Sequence, residues 1–330
     1  MEDTIGPLWV EPKQDLEWRR KIEQEFNIHP VSAQILVSRG FTSFEEIHQF
    51  LYAQLPDLLD PMLMRDMEQA VDRIVRAISQ GERVLIYGDN DVDGMTGTAL
   101  LTEFINGVGG EALYFISARN ILRQSLMVDA LEYALANNCS LIITVDCGIT
   151  AAAEVEEIVR RGVDVIITDH HEPTDAIPNC IATLNPKLVN SSYPNRDLTG
   201  VGVAFKLAHG VTNHLVSTGR IPSRSVDLKR YLDLVALGTI SDMGALLGEN
   251  RIMVRYGLAE MRRAGRVGLA KLTSVCDLDH GSLSTIDIAS KIAPRLNSLG
   301  RIADPQKGVA MLLAQDEAKA EALAVELDLN

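Results

Sequence analysis

The sequence lacks the features that mark membrane-spanning, disulfide-stabilised and zinc-binding proteins. None of its apolar runs approaches the roughly 20 residues that a transmembrane helix requires. Its first residues carry acids and prolines instead of the basic start and apolar core of a signal peptide. The four cysteines, at 139, 147, 180 and 276, have no paired close spacing, which is typical of buried thiols in a reducing compartment. We therefore expect a cytoplasmic protein with no membrane partner.

An excess of basic residues is missing as well. The chain has 31 Lys and Arg residues against 45 Asp and Glu residues, which gives a net charge of −14. A nucleic-acid binder normally shows a basic footprint, because phosphate contacts supply much of its affinity. An enzyme that binds phosphates through divalent cations can nevertheless be acidic, since its ligand carboxylates are counted and its metals are not. The charge weakens a nucleic-acid interpretation without excluding it.

Strand-like and helix-like segments alternate from residue 81 onward, a pattern that predicts a doubly wound α/β domain with a mostly parallel sheet. We assign this domain to residues 81–250. Residues 1–80 predict a helical N-terminal cap on the sheet, and residues 251–330 predict a helical segment that completes the core and starts a connecting helix. The predicted strands are short apolar runs with β-branched residues. They cover residues 83–87, 112–117, 140–145 and 163–168.

Three of these strands run directly into acidic or histidine residues. Asp89, Asp91 and Asp93 follow the first, Asp146 follows the third, and Asp169–His171 follow the fourth. The carboxyl ends of parallel strands open onto one edge of a sheet, where α/β proteins place their ligands. One such acid would more often be a helix cap, but three endings are hard to explain as caps. We read the alternating acids as an extended segment that points all three carboxylates the same way.

The residue types in this cluster indicate manganese or magnesium. A calcium-binding EF-hand loop would need Glu six residues after Gly94, and position 100 is Leu. Carboxylates this close raise one another's pKa unless cations lie between them. Mixed oxygen and nitrogen ligands suit Mn²⁺ or Mg²⁺ better than a thiolate-rich zinc site. We predict two ions, with Asp146 as the candidate bridging ligand.

Four ordered motifs carry a resemblance to a known family. The residues are 88–94, 145–149, 169–171 and 238–242, with further matches at 234–239, 248–251 and 293–301. They resemble the motifs of the DHH phosphoesterase superfamily and, within it, RecJ-type single-strand-specific DNA exonucleases. The resemblance runs from about residue 10 to the end. It implies a two-metal hydrolase that releases mononucleotides from the 5′ end of single-stranded DNA in repair and recombination.

The resemblance also implies roles for individual residues. Asp91 and Asp146 would hold one Mn²⁺ or Mg²⁺ ion. The other ion would be held by Asp93, Asp146, His170 and Asp242. Asp89 would support this ligand shell or the attacking water, and His171 would reach the scissile phosphate.

Other residues match a segment that lines the substrate groove in the family. Arg295, Asn297 and Arg301 would contact the DNA, and a planar guanidinium suits phosphate oxygens. Arg119 would bind phosphate, although its loop, residues 118–125, lacks the two glycines that the family usually carries there. A single-strand-binding protein and a helicase are the partners that the resemblance suggests.

The family continues through a long helix into a DHH-associated domain. This sequence ends at Asn330, inside what resembles the start of that helix, so we expect that domain to be absent here. Two alternatives stay open. One is a phosphodiesterase of the same superfamily that acts on nano-RNA, cyclic dinucleotides or pyrophosphate, and the other is a non-catalytic, truncated protein that binds DNA or repair partners.

Overall fold

The computed structural model describes residues 14–117, 127–302 and 304–329. Contacts divide the chain into two compact units, one ending at Asp57 and the other beginning at Leu58. The N-terminal unit is helical, with Asp15 capping the first helix through its side chain and Ser43 capping the third. Its helices bury a small apolar core around Ile22, Leu36 and Ile47. They are α1 (Leu16–Phe26), α2 (Pro30–Ser38) and α3 (Phe44–Tyr52), followed by a 3₁₀ turn at Leu55–Asp57.

The larger unit is built on five parallel strands in the order β2-β1-β3-β4-β5. The strand order reverses between β1 and β3, and open α/β sheets of this kind bind ligands at that switch point, beyond the carboxyl ends of the strands. The strands are β1 (Arg83–Gly88), β2 (Glu111–Ile116), β3 (Cys139–Val145), β4 (Asp164–Thr168) and β5 (Ala182–Leu184).

Helices cover both faces of this sheet. Ile142 of β3 packs in the core formed with α6 and α7, whereas Val145, three residues later on the same strand, faces α5. This alternation is the period-two pattern of a strand buried on both sides. Helices α5 and α8 pack against each other and against the strands. The helices up to this point are α4 (Met67–Gln80), α5 (Val92–Gly107), α6 (Met127–Ala136), α7 (Ala152–Arg160) and α8 (Gly200–Ser217).

The remainder of the larger unit is helical, as the sequence predicted for residues 251–330. A π-helical turn, Ile288–Ile292, joins two of its helices, and 3₁₀ turns occur at Pro61–Leu63, Leu228–Tyr231 and His280–Ser282. The helices are α9 (Leu232–Ser241), α10 (Gly248–Arg262), α11 (Val267–Val275), α12 (Thr285–Asp287), α13 (Ala293–Ile302), α14 (Gln306–Leu312) and α15 (Glu317–Leu329).

The doubly wound parallel α/β fold is confirmed, with three differences in detail. Helix α4, grouped by sequence with the N-terminal helices, lies in the larger unit and packs on α8. Strand β5 was not predicted, because three residues are too few to show a pattern. Helix α5 begins at Val92, so the acidic run is not one extended segment. Among the described residues, no helix combines the length and apolarity that crossing a membrane requires.

Candidate metal centre

Three acidic residues continue the hydrogen-bond ladder of the sheet by one step beyond their strands. The backbone N–H of Asp89 donates to the Val145 carbonyl (3.1 Å), and that of Asp146 donates to the Thr168 carbonyl (2.8 Å). The N–H of Asp169 donates in the same way to the Leu184 carbonyl of β5 (3.0 Å). The ends of β1, β3 and β4 therefore deliver three acids side by side at the switch point of the sheet.

The other two acids of the first motif belong to the start of α5. Asp91 is the N-cap residue, and its Oδ1 accepts a hydrogen bond from Gly94 N at 3.0 Å. Asp93 lies in the first helical turn and is 1% exposed. The expected extended segment is therefore wrong beyond Asp91: the helix turns the acids toward the sheet edge, where an acid is also favoured by the helix dipole.

Asp93 is held by the N-terminus of a second helix. Its two carboxylate oxygens accept hydrogen bonds from the backbone N–H groups of Gly200 (2.6 Å) and Val201 (3.0 Å), at the start of α8. Burial raises the pKa of Asp93 well above its usual value and the Asp242 charge raises it further, while the two N–H groups oppose the rise. Asp93 is thus a carboxylate whose charge needs a further positive partner.

Two buried polar atoms at the centre of the cluster lie close together without a hydrogen bond between them. His170 Nε2 lies 3.0 Å from Asp146 Oδ1, 3.8 Å from Asp93 Oδ2 and 3.7 Å from Asp242 Oδ2. Although 3.0 Å is short enough for a hydrogen bond, neither atom has a hydrogen-bond partner among the residues that the structure describes. Buried polar groups without partners are rare in proteins unless an ion or water satisfies them.

The pKa shifts of His170 and Asp146 also indicate a place for a bound cation. Burial lowers the pKa of His170 to about 4, so that its ring is neutral and has a lone pair to offer at neutral pH. Burial raises the pKa of Asp146 well above its usual value, and the Asp93 and Asp91 charges raise it further. The cause is an excess of carboxylates in a small buried space, which divalent cations would neutralise.

The ligand atoms form three overlapping groups, within each of which all atoms lie within 4.8 Å of one another. Asp146 is shared by two of them, the position that a bridging ligand would take, and oxygen with imidazole nitrogen suits Mn²⁺ or Mg²⁺. The donor set therefore fits such ions. The groups are Asp89, Asp91 and Asp146; Asp93, His170 and Asp242; and Asp146, His170 and His171.

Asp169 orients the second histidine, a role that the sequence did not assign. Its Oδ1 lies 2.8 Å from His171 Nδ1 and also accepts the backbone N–H groups of both histidines. Its Oδ2 accepts from Ile149 N at 2.9 Å. The hydrogen bond that His171 Nδ1–H donates to Asp169 raises the pKa of His171 and leaves Nε2 as the ring nitrogen free to meet a ligand. Its place in the same short motif was the available signal.

Asp242 enters the cluster from the C-terminal end of α9. It is the C-cap residue of this helix, and its N–H donates to the Gly238 carbonyl at 2.9 Å. A Cβ atom at Gly238 would lie 2.3 Å from Thr96 Oγ1 and 2.8 Å from Asp93 Oδ1. Only glycine therefore allows α9 to approach α5 closely enough to place Asp242 beside His170.

The predicted substrate-contacting residues have different surroundings. Asn297 is at the centre, where its Oδ1 accepts from Val92 N (3.1 Å) in the first turn of α5. Arg295 is engaged by Asp328 at 2.7 Å and by the Lys291 carbonyl at 2.9 Å, so the structure does not bring its guanidinium to the cluster. Arg119 lies outside the described residues, as does the side chain of Arg301.

Comparison with known proteins identifies the class of protein that this fold and site define. Residues 83–239 match the DHH family, N-terminal domain, so this stretch of the chain is a DHH domain. Across nearly its whole length it is similar to single-stranded-DNA-specific exonucleases named RecJ. It is 37% identical to that of Bacillus subtilis (strain 168) over 97% of this chain, and 34% identical to that of Escherichia coli (strain K12) over 96%.

Solved structures give the same result. The structure of RecJ from Thermus thermophilus in complex with Mn²⁺ covers 96% of this chain with a TM-score of 0.79 and 32% identity. An exonuclease RecJ bound to manganese covers 82% with a TM-score of 0.70 and 33% identity. This chain spans 39% and 56% of the two curated relatives, and 44% of the Thermus chain. It corresponds to only part of each.

Proposed function

We propose that this chain is the metal-dependent catalytic core of an exonuclease that degrades single-stranded DNA in repair and recombination. One observation carries the proposal. Asp146 Oδ1 and His170 Nε2 are buried, 3.0 Å apart and without hydrogen-bond partners in the described part of the chain, at the centre of a carboxylate cluster. The proposal is supported by the similarity of this chain to structures of RecJ in complex with Mn²⁺ and with Mg²⁺.

In this proposal two divalent cations occupy the cluster. Asp91 and Asp146 would hold one, with Asp89 close enough to support that ligand set, since the three form one group. The other would be held by Asp93, Asp146, His170 and Asp242. Bound cations of this kind acidify water and neutralise charge on phosphoryl oxygens. The protein supplies rigid placement, because each ligand is fixed by a strand end or a helix terminus.

His171 is the protein's own contact to the scissile phosphate. Its side chain is 56% exposed, while Asp169 behind it is 1% exposed, so the imidazole faces outward from a fixed support. The raised pKa of His171 keeps its outer nitrogen protonated to higher pH than in a free histidine. A protonated ring can donate to a phosphate oxygen and stabilise charge that develops there.

The finer points of the proposal follow from the resemblance. The chain would digest from the 5′ end, with Arg119, Asn297 and Arg301 along the substrate groove and Arg295 free to join them if its pair with Asp328 opens. A single-strand-binding protein and a helicase would be its partners, in the cytoplasm.

Hydrolysis of a 5′-labelled single-stranded oligonucleotide with Mn²⁺ tests the proposal. Asp146→Asn keeps the shape of the side chain and removes the ligand charge, and it should lower mononucleotide release at least about 100-fold. Asp277→Asn is the matched control, because Asp277 is exposed and has a similar left-handed backbone, with φ of 53° against 62° for Asp146. That variant should be as active as the parent chain.

The same assay separates the alternatives. Mononucleotide release that is abolished only in Asp146→Asn supports the exonuclease. Hydrolysis of a dinucleotide without action on the oligonucleotide would instead indicate a small-substrate phosphodiesterase. Metal binding without hydrolysis of either would refute the catalytic proposal and favour a non-catalytic interaction protein.

A further inference from the structure

A lysine that the sequence analysis did not assign stands at the rim of the metal centre. Lys187 follows β5, between Pro186 and Leu188, whose side chains are buried. Its own side chain is 24% exposed and emerges from this fixed backbone. A cation is thereby held beside the most acidic region of the fold.

One buried side chain ties this lysine to the histidine pair. Asn185 is 0% exposed, and its Nδ2 donates to the His171 carbonyl at 2.9 Å. Its Oδ1 accepts from Lys187 N at 2.8 Å. Because one amide group spans the two backbones, the separation between His171 and Lys187 is set by a rigid buried residue.

The ammonium group of Lys187 lies next to the histidine pair. Its Nζ is 3.3 Å from Glu172 Oε1, and Glu172 directly follows His171 in the chain. The side chain therefore reaches the same edge of the sheet as the two histidines.

A second cation is joined to the same segment. Arg196 is exposed, and its Nη2 donates to the Lys187 carbonyl at 3.0 Å. The guanidinium and the ammonium thus lie on one short stretch of surface next to an acidic centre, in a chain whose net charge is −14. These two side chains form a local basic patch that the negative net charge of the whole chain does not reveal.

The ion pair that Lys187 forms contributes little to the stability of the fold. Its ion-pair partner is Glu172, 3.3 Å away and 79% exposed. An exposed pair of this kind contributes little, with a median of about 0–1 kcal/mol. The buried neighbours and Asn185 hold the backbone without help from the ammonium group. The side chain is therefore available to exchange Glu172 for another anion.

We infer that Lys187, supported by Arg196, binds a phosphate of the single-stranded substrate next to the scissile phosphate. The inference rests on the proposed nuclease function and adds a subsite to it. A flexible ammonium group is a suitable partner for a backbone phosphate, because it needs no fixed geometry and reads no base. The contact would position the strand without sequence preference.

The test compares Lys187→Gln with Lys187→Arg and with a matched control, Lys271→Gln. Lys271 is 29% exposed and also pairs with an exposed glutamate, Glu317, at 3.3 Å, but it lies on α11. Kinetics are measured with a long single-stranded oligonucleotide and with an unphosphorylated dinucleotide, which has no phosphate beyond the scissile one. The salt dependence of kcat/KM is measured for each.

We expect Lys187→Gln to lower kcat/KM on the oligonucleotide about threefold to tenfold, mainly through KM, because one phosphate contact is lost. The slope of log kcat/KM against log salt should become shallower by about 0.7, the value for one phosphate in a single strand. Hydrolysis of the dinucleotide should not change. Lys187→Arg should retain most of the oligonucleotide activity, and Lys271→Gln all of it.

Two results would overturn the inference. In one, Lys187→Gln behaves like Lys271→Gln on the oligonucleotide. In the other, it loses equal activity on both substrates, which would place its effect at the scissile phosphate or on the fold. If the parent chain hydrolyses neither substrate, the proposed nuclease function fails instead. Fluorescence anisotropy of the same oligonucleotide with the same variants then decides whether Lys187 contacts it.

Discussion

Adding one methyl group at Gly200 should damage the metal centre more than the fold. Gly200 is the first residue of α8 and donates its N–H to Asp93. In Gly200→Ala the new Cβ would lie 2.5 Å from Asp146 Cβ and 2.7 Å from Asp146 Oδ1. Non-bonded heavy atoms prefer about 3.5–4.0 Å, so the bridging candidate Asp146 must move by about 1 Å.

The two consequences of this movement differ in size. Overpacking costs about 1–3 kcal/mol, and part of this is offset because alanine is favoured over glycine in a helix by about 0.5–1 kcal/mol. A shift of 1 Å in a positioned group can lower the rate about 100-fold. We therefore expect Gly200→Ala to remain folded, to bind Mn²⁺ more weakly, and to lose about 100-fold in mononucleotide release.

Gly202→Ala is the matched control, two residues further along the same helix. Its Cβ would meet the flexible Leu198 side chain at 3.3 Å and Thr199 Oγ1 at an ordinary contact distance of 3.6 Å, so this variant should keep its activity and its metal affinity. Thermal unfolding, Mn²⁺ titration calorimetry and oligonucleotide hydrolysis measure the three quantities. The reasoning is refuted if Gly200→Ala binds Mn²⁺ and cleaves as well as Gly202→Ala does.

Two further outcomes are expected. Burial and neighbouring carboxylates raise the pKa values of Asp93 and Asp146 in the folded protein. A carboxyl group of this kind stabilises the fold fully below its pKa in the unfolded chain, about 3.9, and this stabilisation is lost as the pH rises through its pKa in the folded protein. Metal-free protein should therefore lose stability as the pH rises through the folded pKa values, and Mn²⁺ should raise Tm more at high pH than at low pH; equal gains at both would contradict this. Lys206→Met should lower the free energy of unfolding by about 3–5 kcal/mol in urea denaturation, because it leaves Glu249, 3% exposed, without its buried partner at 2.8 Å. Lys271→Met, which breaks a more exposed pair, should change it by less than about 1 kcal/mol.

The sequence predicted the parts of the fold that have strong local patterns. The apolar runs of β1, β3 and β4 are readable because strands buried on both faces need apolar residues throughout. β5 escaped prediction since Ala182–Leu184 form a strand only through pairing with β4. The start of α5 was misplaced because acids that alternate in the sequence resemble a strand, whereas Asp91 is a helix cap.

The candidate site divides in a similar way. Asp89, Asp146 and His170 were predictable from their places after strands, and the structure brings them together. Their roles as ligands and catalytic groups stay predictions. What the sequence could not show were contacts between distant segments, such as Asn297 on the first turn of α5 and the α8 N-terminus on Asp93. These depend on how helices pack, which no local pattern records.

The left-handed backbone of Asp146 limits how this position can evolve. Its φ of 62° suits glycine, asparagine and aspartate better than any other residue, because their short or absent side chains tolerate this conformation. Glutamate, the other carboxylate, would have to adopt a conformation that disfavours it and would reach one bond further. Of the residues that the backbone accepts readily, aspartate alone carries a negative charge. Nearby substitutions can thus tune the centre, while Asp146, which belongs to two of its three ligand groups, has almost no substitute.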